Sequence, residues 1–133
     1  SVNLLESYFR GFSITTKKST YLITGPADRV NLRNVLHELL HAYLKITGIT
    51  FNTDIEGYEK VDDDLKTNYT RETIGEESLV RALVVYLGRI LKLEKTELSD
   101  QDRKLVFPEI FLNKLEELKP KRITKQVLSD LFT

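Results

Sequence analysis

No cysteine occurs in the 133 residues of this chain. That removes a disulfide framework, a thiolate zinc site and a cysteine nucleophile together, so any metal ligand has to come from His, Asp or Glu. An excess of charge of one sign is missing as well. Lys plus Arg and Asp plus Glu stand at 20 each, and no global field draws the chain to nucleic acid or to an anionic membrane surface; neither is expected as a partner. Long hydrophobic runs are also lacking: charges interrupt every apolar stretch well before the roughly 18 residues of a spanning helix. The opening Ser1-Val2-Asn3-Leu4-Leu5-Glu6 has neither the basic flank nor the apolar core of a secretion signal. Localisation stays open, with a cytoplasmic setting slightly favoured, because Ser1 is not a natural start and leaves room for a signal or a longer parent chain.

Histidine is scarce too, with two copies, and their placement points to function. They stand in the run Asn34-Val35-Leu36-His37-Glu38-Leu39-Leu40-His41-Ala42-Tyr43-Leu44, which contains the pattern H-E-x-x-H. Residues four apart on an α-helix lie one turn above each other and can aim two imidazoles at one ion. Glu38, about 100° further round, stays off the ion and can hold a metal-bound water. Zn2+ suits such a site because it accepts neutral imidazole and, when catalytic, needs three protein ligands and leaves a fourth position for water. Random placement of two histidines and twelve glutamates gives this arrangement about once in 700 chains.

The helical wheel sets the histidines apart from the main core. With Leu32 at zero and about 100° per residue, Leu32, Val35, Leu36, Leu39, Leu40 and Tyr43 share one apolar arc, while His37 and His41 fall near 140–180°. The bland alternative is a surface helix carrying two solvated histidines.

The length fits one compact domain, 1–133, with one continuous core. Two β-prone runs, Phe12 to Thr16 and Thr20 to Thr24, predict a hairpin. Asp28 or Asn31 can cap the motif helix, and Gly48 can end it. Residues 49–72 read as a long loop or small hairpin bordering a cleft. The run Asp62-Asp63-Asp64 lacks the spacing and glycine of a calcium loop and reads as a solvated charge run. A second helix is expected from about Ile74 to Leu93. Its stripe is Leu79, Val80, Leu83, Val84, Leu87, Ile90 and Leu91, with Arg81, Arg89 and Lys92 opposite. Ser99-Asp100 can cap a segment near 100–106, Pro108 can open a helix through Leu118, and a last short helix is expected from Ile123 to Phe132. These small helices could form a helix-turn-helix, but the neutral charge favours a packed helical cap.

Two imidazoles need a further carboxylate, and Glu76 and Glu77, expected in the first turn of the second helix, are the natural source. On the wheel Glu76 falls inside the apolar arc and Glu77 at its edge. A buried carboxylate at either position needs a partner, which a zinc ion would supply; first-turn glutamates favoured by the helix dipole are the alternative.

With these residues in place, roughly residues 20–93 resemble a zincin metallopeptidase of the gluzincin type, in which a glutamate on a later helix completes a His, His, Glu site. The lethal-factor-like toxins and related small peptidases follow that glutamate with apolar residues at the second, third and sixth places, matched here by Leu79, Val80 and Leu83 after Glu77. The repressor-cleaving peptidases of mobile elements are similar as well and favour Glu76 in one alignment. The resemblance implies His37, His41 and Glu77 (alternatively Glu76) as zinc ligands and Glu38 as general base. It also implies the strand Tyr21-Leu22-Ile23-Thr24 as an edge that pairs with an extended substrate. Tyr69 or Tyr86 could steady the tetrahedral intermediate.

The expectation is thus an α+β zincin-like domain, a small mostly antiparallel sheet packed on the motif helix and followed by several helices. Its expected function is zinc-dependent hydrolysis of a peptide or protein substrate. The alternative is a catalytically inert zincin-fold binding or regulatory module.

Overall fold

The computed structural model describes residues 2–5, 11–15, 20–24, 32–49, 57–92 and 97–131. Among them the longest element, helix α3 (Arg71–Leu91), is the axis of the core. It begins three residues before the expected Ile74 because Thr70 caps it, its hydroxyl accepting from the Thr73 N–H at 3.2 Å and satisfying one of the donors orphaned at a helix start. It ends at Lys92, which takes a left-handed φ of 56°. Burial runs almost all the way round it. Leu79, Leu83 and Leu87 are fully enclosed, and Ala82, Val85 and Tyr86, on the side that the stripe left outward, are buried as well. A helix apolar all round lies between neighbours, and α3 is packed by α1 (Leu32–Thr47) and by α5 (Phe107–Leu118).

Helix α1 carries the H-E-x-x-H run. Its enclosed residues are Leu36, Leu40, Tyr43 and Leu44, whereas Val35 is 37% exposed. The buried arc is therefore turned by about 50–60° from the expected one, towards the histidines. Burial of each large side chain contributes about 1.5–3 kcal/mol relative to exposure. The Tyr43 hydroxyl donates to the Ile123 carbonyl at 3.0 Å, and burial raises its pKa. Helix α1 stops where Gly48 turns to φ +65°, a conformation that costs glycine little. Asp28 and Asn31, the expected caps, lie outside the described residues.

Residues 57–72 hold no hairpin. They form a 3-10 turn, Tyr58–Lys60, then α2, Asp63–Asn68. The acidic run has a local explanation, since the Asp62 side chain accepts from the Asp64 N–H at 3.0 Å and caps α2. Downstream come α4 (Asp100–Arg103), α5 with Pro108 in its first turn, and α6 (Lys125–Asp130). Ile123 belongs to a two-residue strand, β4 (Arg122–Ile123), and not to the last helix, which Thr124 caps.

The expected α+β architecture is corrected by this arrangement. Backbone segments β1 (Val2–Leu5), β2 (Gly11–Thr15) and β3 (Thr20–Thr24) pair antiparallel in the order β3-β2-β1-β4. The described core, however, is helical, and Ile123 of β4 joins it. Among the described residues, the motif helix buries its apolar face against α3, and its bond to the sheet is that of the Tyr43 hydroxyl to the Ile123 carbonyl of β4. With α1 and α5 both packed on α3, the described core is helix on helix. Among the described residues, no helix is long and apolar enough to cross a membrane.

Candidate metal centre

Both histidines sit at the border of the core, about one quarter exposed, on the flank of α1 that approaches α3. Their spacing follows from the four-residue repeat, and the rings meet edge to face with centroids 4.8 Å apart. The two Nε2 atoms are 3.2 Å apart. Across from them stands Glu77, in the second turn of α3. One carboxylate oxygen lies 3.3 Å from Nε2 of His37 and the other 3.0 Å from Nε2 of His41.

These separations fit a metal. Bonds of about 2.0–2.1 Å at tetrahedral angles put neighbouring ligand atoms about 3.3–3.4 Å apart; here the two Nε2 atoms are 3.2 Å apart, each faces its own Glu77 oxygen at 3.3 or 3.0 Å, and one donor atom from each residue lies within 4.8 Å of the others. Among the described residues, His37, His41 and Glu77 form the group of His, Asp and Glu side chains whose donors converge closely enough for one ion. Two imidazoles and one carboxylate also suit zinc chemically.

Glu76 is turned elsewhere. Its carboxylate approaches the opposite ring nitrogen of His41, Nδ1, at 3.5 Å. That is longer than a good hydrogen bond, yet it lies on the side from which a carboxylate orients a metal-binding imidazole. Neither glutamate is in the first turn of α3, where the acidic residue is Glu72, so the helix dipole does not account for the pair.

Glu77 is ionised across the ordinary pH range. Its pKa is held down at about 2, chiefly by its hydrogen bond with His37; partial burial pushes the other way, and Arg81 adds to the lowering. Arg81, one turn further along α3, donates from Nε to Glu77 Oε1 at 3.1 Å and from Nη1 to Asp102 Oδ1 at 3.0 Å. Asp102 is 7% exposed. Its other oxygen accepts from the Ser99 N–H at 2.8 Å, while the Ser99 hydroxyl accepts from the Asp102 N–H at 3.1 Å. Sequence reading assigned Arg81 to the polar side of its helix and Ser99-Asp100 to a cap. It missed that Glu77-x-x-x-Arg81 is an i, i+4 ion pair and that Ser99-x-x-Asp102 is a reciprocal cap joined to it. Both signals are visible as spacings.

Glu38 is exposed on α1 directly after His37. The two tyrosines separate clearly. Tyr86 is buried nine residues beyond Glu77, donating to the Pro120 carbonyl at 3.4 Å, with its pKa raised by burial and by Glu116. Tyr69 is 52% exposed and lines a cavity of about 240 Å³ beside the metal group. Leu65, Ile74 and Leu105 line that cavity together with Glu77 and Arg81. It thus draws on both the 49–72 segment and the C-terminal helices.

No family model, curated protein or solved structure matches the chain.

Proposed function

We propose that this chain is a zinc-dependent peptidase of the H-E-x-x-H type, acting on a peptide or protein substrate. The observation that carries the reading is the convergence of His37 and His41, Nε2 to Nε2 at 3.2 Å, on the Glu77 carboxylate, whose two oxygens lie 3.3 Å from the first and 3.0 Å from the second. A zinc ion held by these three supplies an activated water and polarises the scissile carbonyl.

The protein's own residues do the remaining work. His37 and His41 bind as neutral imidazoles. Glu38, one helix position from a ligand and open to solvent, takes the proton of the attacking water and hands it to the leaving amine. The cavity with Leu65, Ile74 and Leu105 in its lining offers an apolar recess next to Glu77 for a substrate side chain. Of the two tyrosines, Tyr69, which lines the cavity with Glu77, is the one we assign to steady developing oxyanion charge; Tyr86 is committed to the Pro120 carbonyl.

Two measurements on purified protein test the reading: elemental analysis, and hydrolysis of a fluorogenic peptide library with and without a chelator. The expected result is one zinc per chain and chelator-sensitive cleavage. A metal-free protein that cannot be loaded overturns the proposal. Stoichiometric zinc with no cleavage across the library would replace the peptidase by an inert metal-binding module.

A further inference from the structure

We infer that Arg81, held by Asp102, is a positioning residue that fixes how Glu77 meets the metal. This rests on the metal reading above and goes beyond it in assigning two residues outside the ligand set. Arg81 bridges two carboxylates, with Nε on Glu77 Oε1 at 3.1 Å and Nη1 on Asp102 Oδ1 at 3.0 Å. The guanidinium engages Oε1, which also lies 3.3 Å from His37 Nε2, while Oε2 lies 3.0 Å from His41 Nε2. With Oε1 so engaged, Glu77 would hold a zinc ion through Oε2 alone, which would leave room for a water ligand.

A cation beside a dication is costly unless it is neutralised. Asp102 supplies the countercharge, so the bridge aligns Glu77 without adding net positive charge to the site. Asp102 is itself fixed, because Ser99 binds it through both backbone and hydroxyl and its side chain is 10% exposed. A pair serving stability alone would not need one end on the carboxylate that faces both histidines.

The test is the zinc dissociation constant, measured by competition with a chromophoric chelator, together with the melting midpoint of the chelator-treated protein. Wild type is compared with His37→Ala, Arg81→Ala, Arg81→Lys, Asp102→Asn and the double variant Arg81→Ala/Asp102→Asn. Arg81→Ala should weaken zinc about 10–100-fold, as loss of partners that orient metal ligands does. Arg81→Lys should weaken it nearly as much, since one ammonium cannot reproduce the two-pronged bridge. Asp102→Asn keeps an acceptor for the cap but uncovers the guanidinium charge, and should weaken zinc about 3–10-fold with little change in the chelator-treated midpoint. In the Arg81→Ala background Asp102→Asn should have no further effect, because both act through one bridge.

Wild-type affinity in both Arg81→Ala and Asp102→Asn overturns the assignment, as do additive effects in the double variant. Losses of affinity that merely track losses of the chelator-treated midpoint overturn it too, by reducing Arg81 to a structural ion pair. Should Arg81→Ala not fold, Asp102→Asn and Arg81→Lys decide the matter. His37→Ala separates the two levels. If wild type binds zinc no better than this variant, the metal reading falls; if it does bind better while the Arg81 and Asp102 variants match wild type, only the positioning role falls.

Discussion

Replacing Glu77 by Gln removes the one carboxylate that faces both histidines while keeping its size. In the zinc-free protein the substitution has its own cost. The ionised form of Glu77 is favoured in the fold by His37 and then by Arg81. A carboxyl whose folded pKa lies below its unfolded value contributes stability that is in place above the ordinary carboxylate range and is lost as pH falls towards about 2. At neutral pH the variant forfeits that contribution, of order 1–3 kcal/mol for a group about one quarter exposed. The assay therefore compares each protein with itself, in zinc and in chelator. Free zinc at a hundredfold excess over the dissociation constant stabilises the native state by about 2.7 kcal/mol. In a domain of this length each kcal/mol moves the midpoint by about 3–5 °C, so wild type should melt about 8–13 °C higher in zinc. Under the same zinc concentration Glu77→Gln should lose most of that difference, whereas Glu76→Gln, which touches only Nδ1 of His41, should keep most of it. The reverse pattern would make Glu76 the ligand. A full zinc shift in Glu77→Gln, His37→Ala and His41→Ala alike would refute a site built from these side chains.

Glu38→Gln should bind zinc as wild type does and lose peptide hydrolysis; turnover that survives the substitution removes Glu38 from proton transfer. Tyr69→Phe should lower kcat with zinc affinity unchanged, while Tyr86→Phe should leave kinetics alone and lower stability by about 1 kcal/mol through the lost bond to Pro120, which a urea melt reads. Leu83→Ala, at a fully enclosed position of α3, should cost about 2–5 kcal/mol in the same melt. Acidification should release zinc through protonation of the two imidazoles, with the carboxylate still ionised; zinc affinity that is flat with pH would contradict imidazole ligation.

The legible parts of this molecule are those with a local physical cause. A four-residue repeat on a helix brings His37 and His41 together whatever the fold, and a left-handed glycine ends α1 at Gly48 because only local sterics are involved. The start of α3 was misplaced by three residues since Thr70 caps through Thr73, a bond that apolar periodicity does not register. The larger miss was architectural. A single stripe through Leu79, Leu83 and Leu87 suggested one packing face. Yet Ala82, Val85 and Tyr86 are buried too, and together they give α3 a second face. With α1 and α5 both packed on α3, the described core is a stack of helices, which a single apolar stripe does not foresee.

That same double burial bears on the chemistry. Leu36 and Leu40, each fully enclosed, stand one residue before His37 and His41, so the contacts that lock α1 into the core also set the heights of the two rings. Glu77 and Arg81 lie on α3 immediately beside the enclosed Ser78, Val80 and Ala82. The distances between imidazoles and carboxylate are therefore set by the packing of two regular helices, with no loop among the three donors. Sites held on rigid elements keep their donors near a productive geometry before any ion arrives, and Arg81 and Asp102 extend that support to the cap of α4. Helix-on-helix packing of α1 against α3 is thus also what would give this small chain a preorganised ligand set.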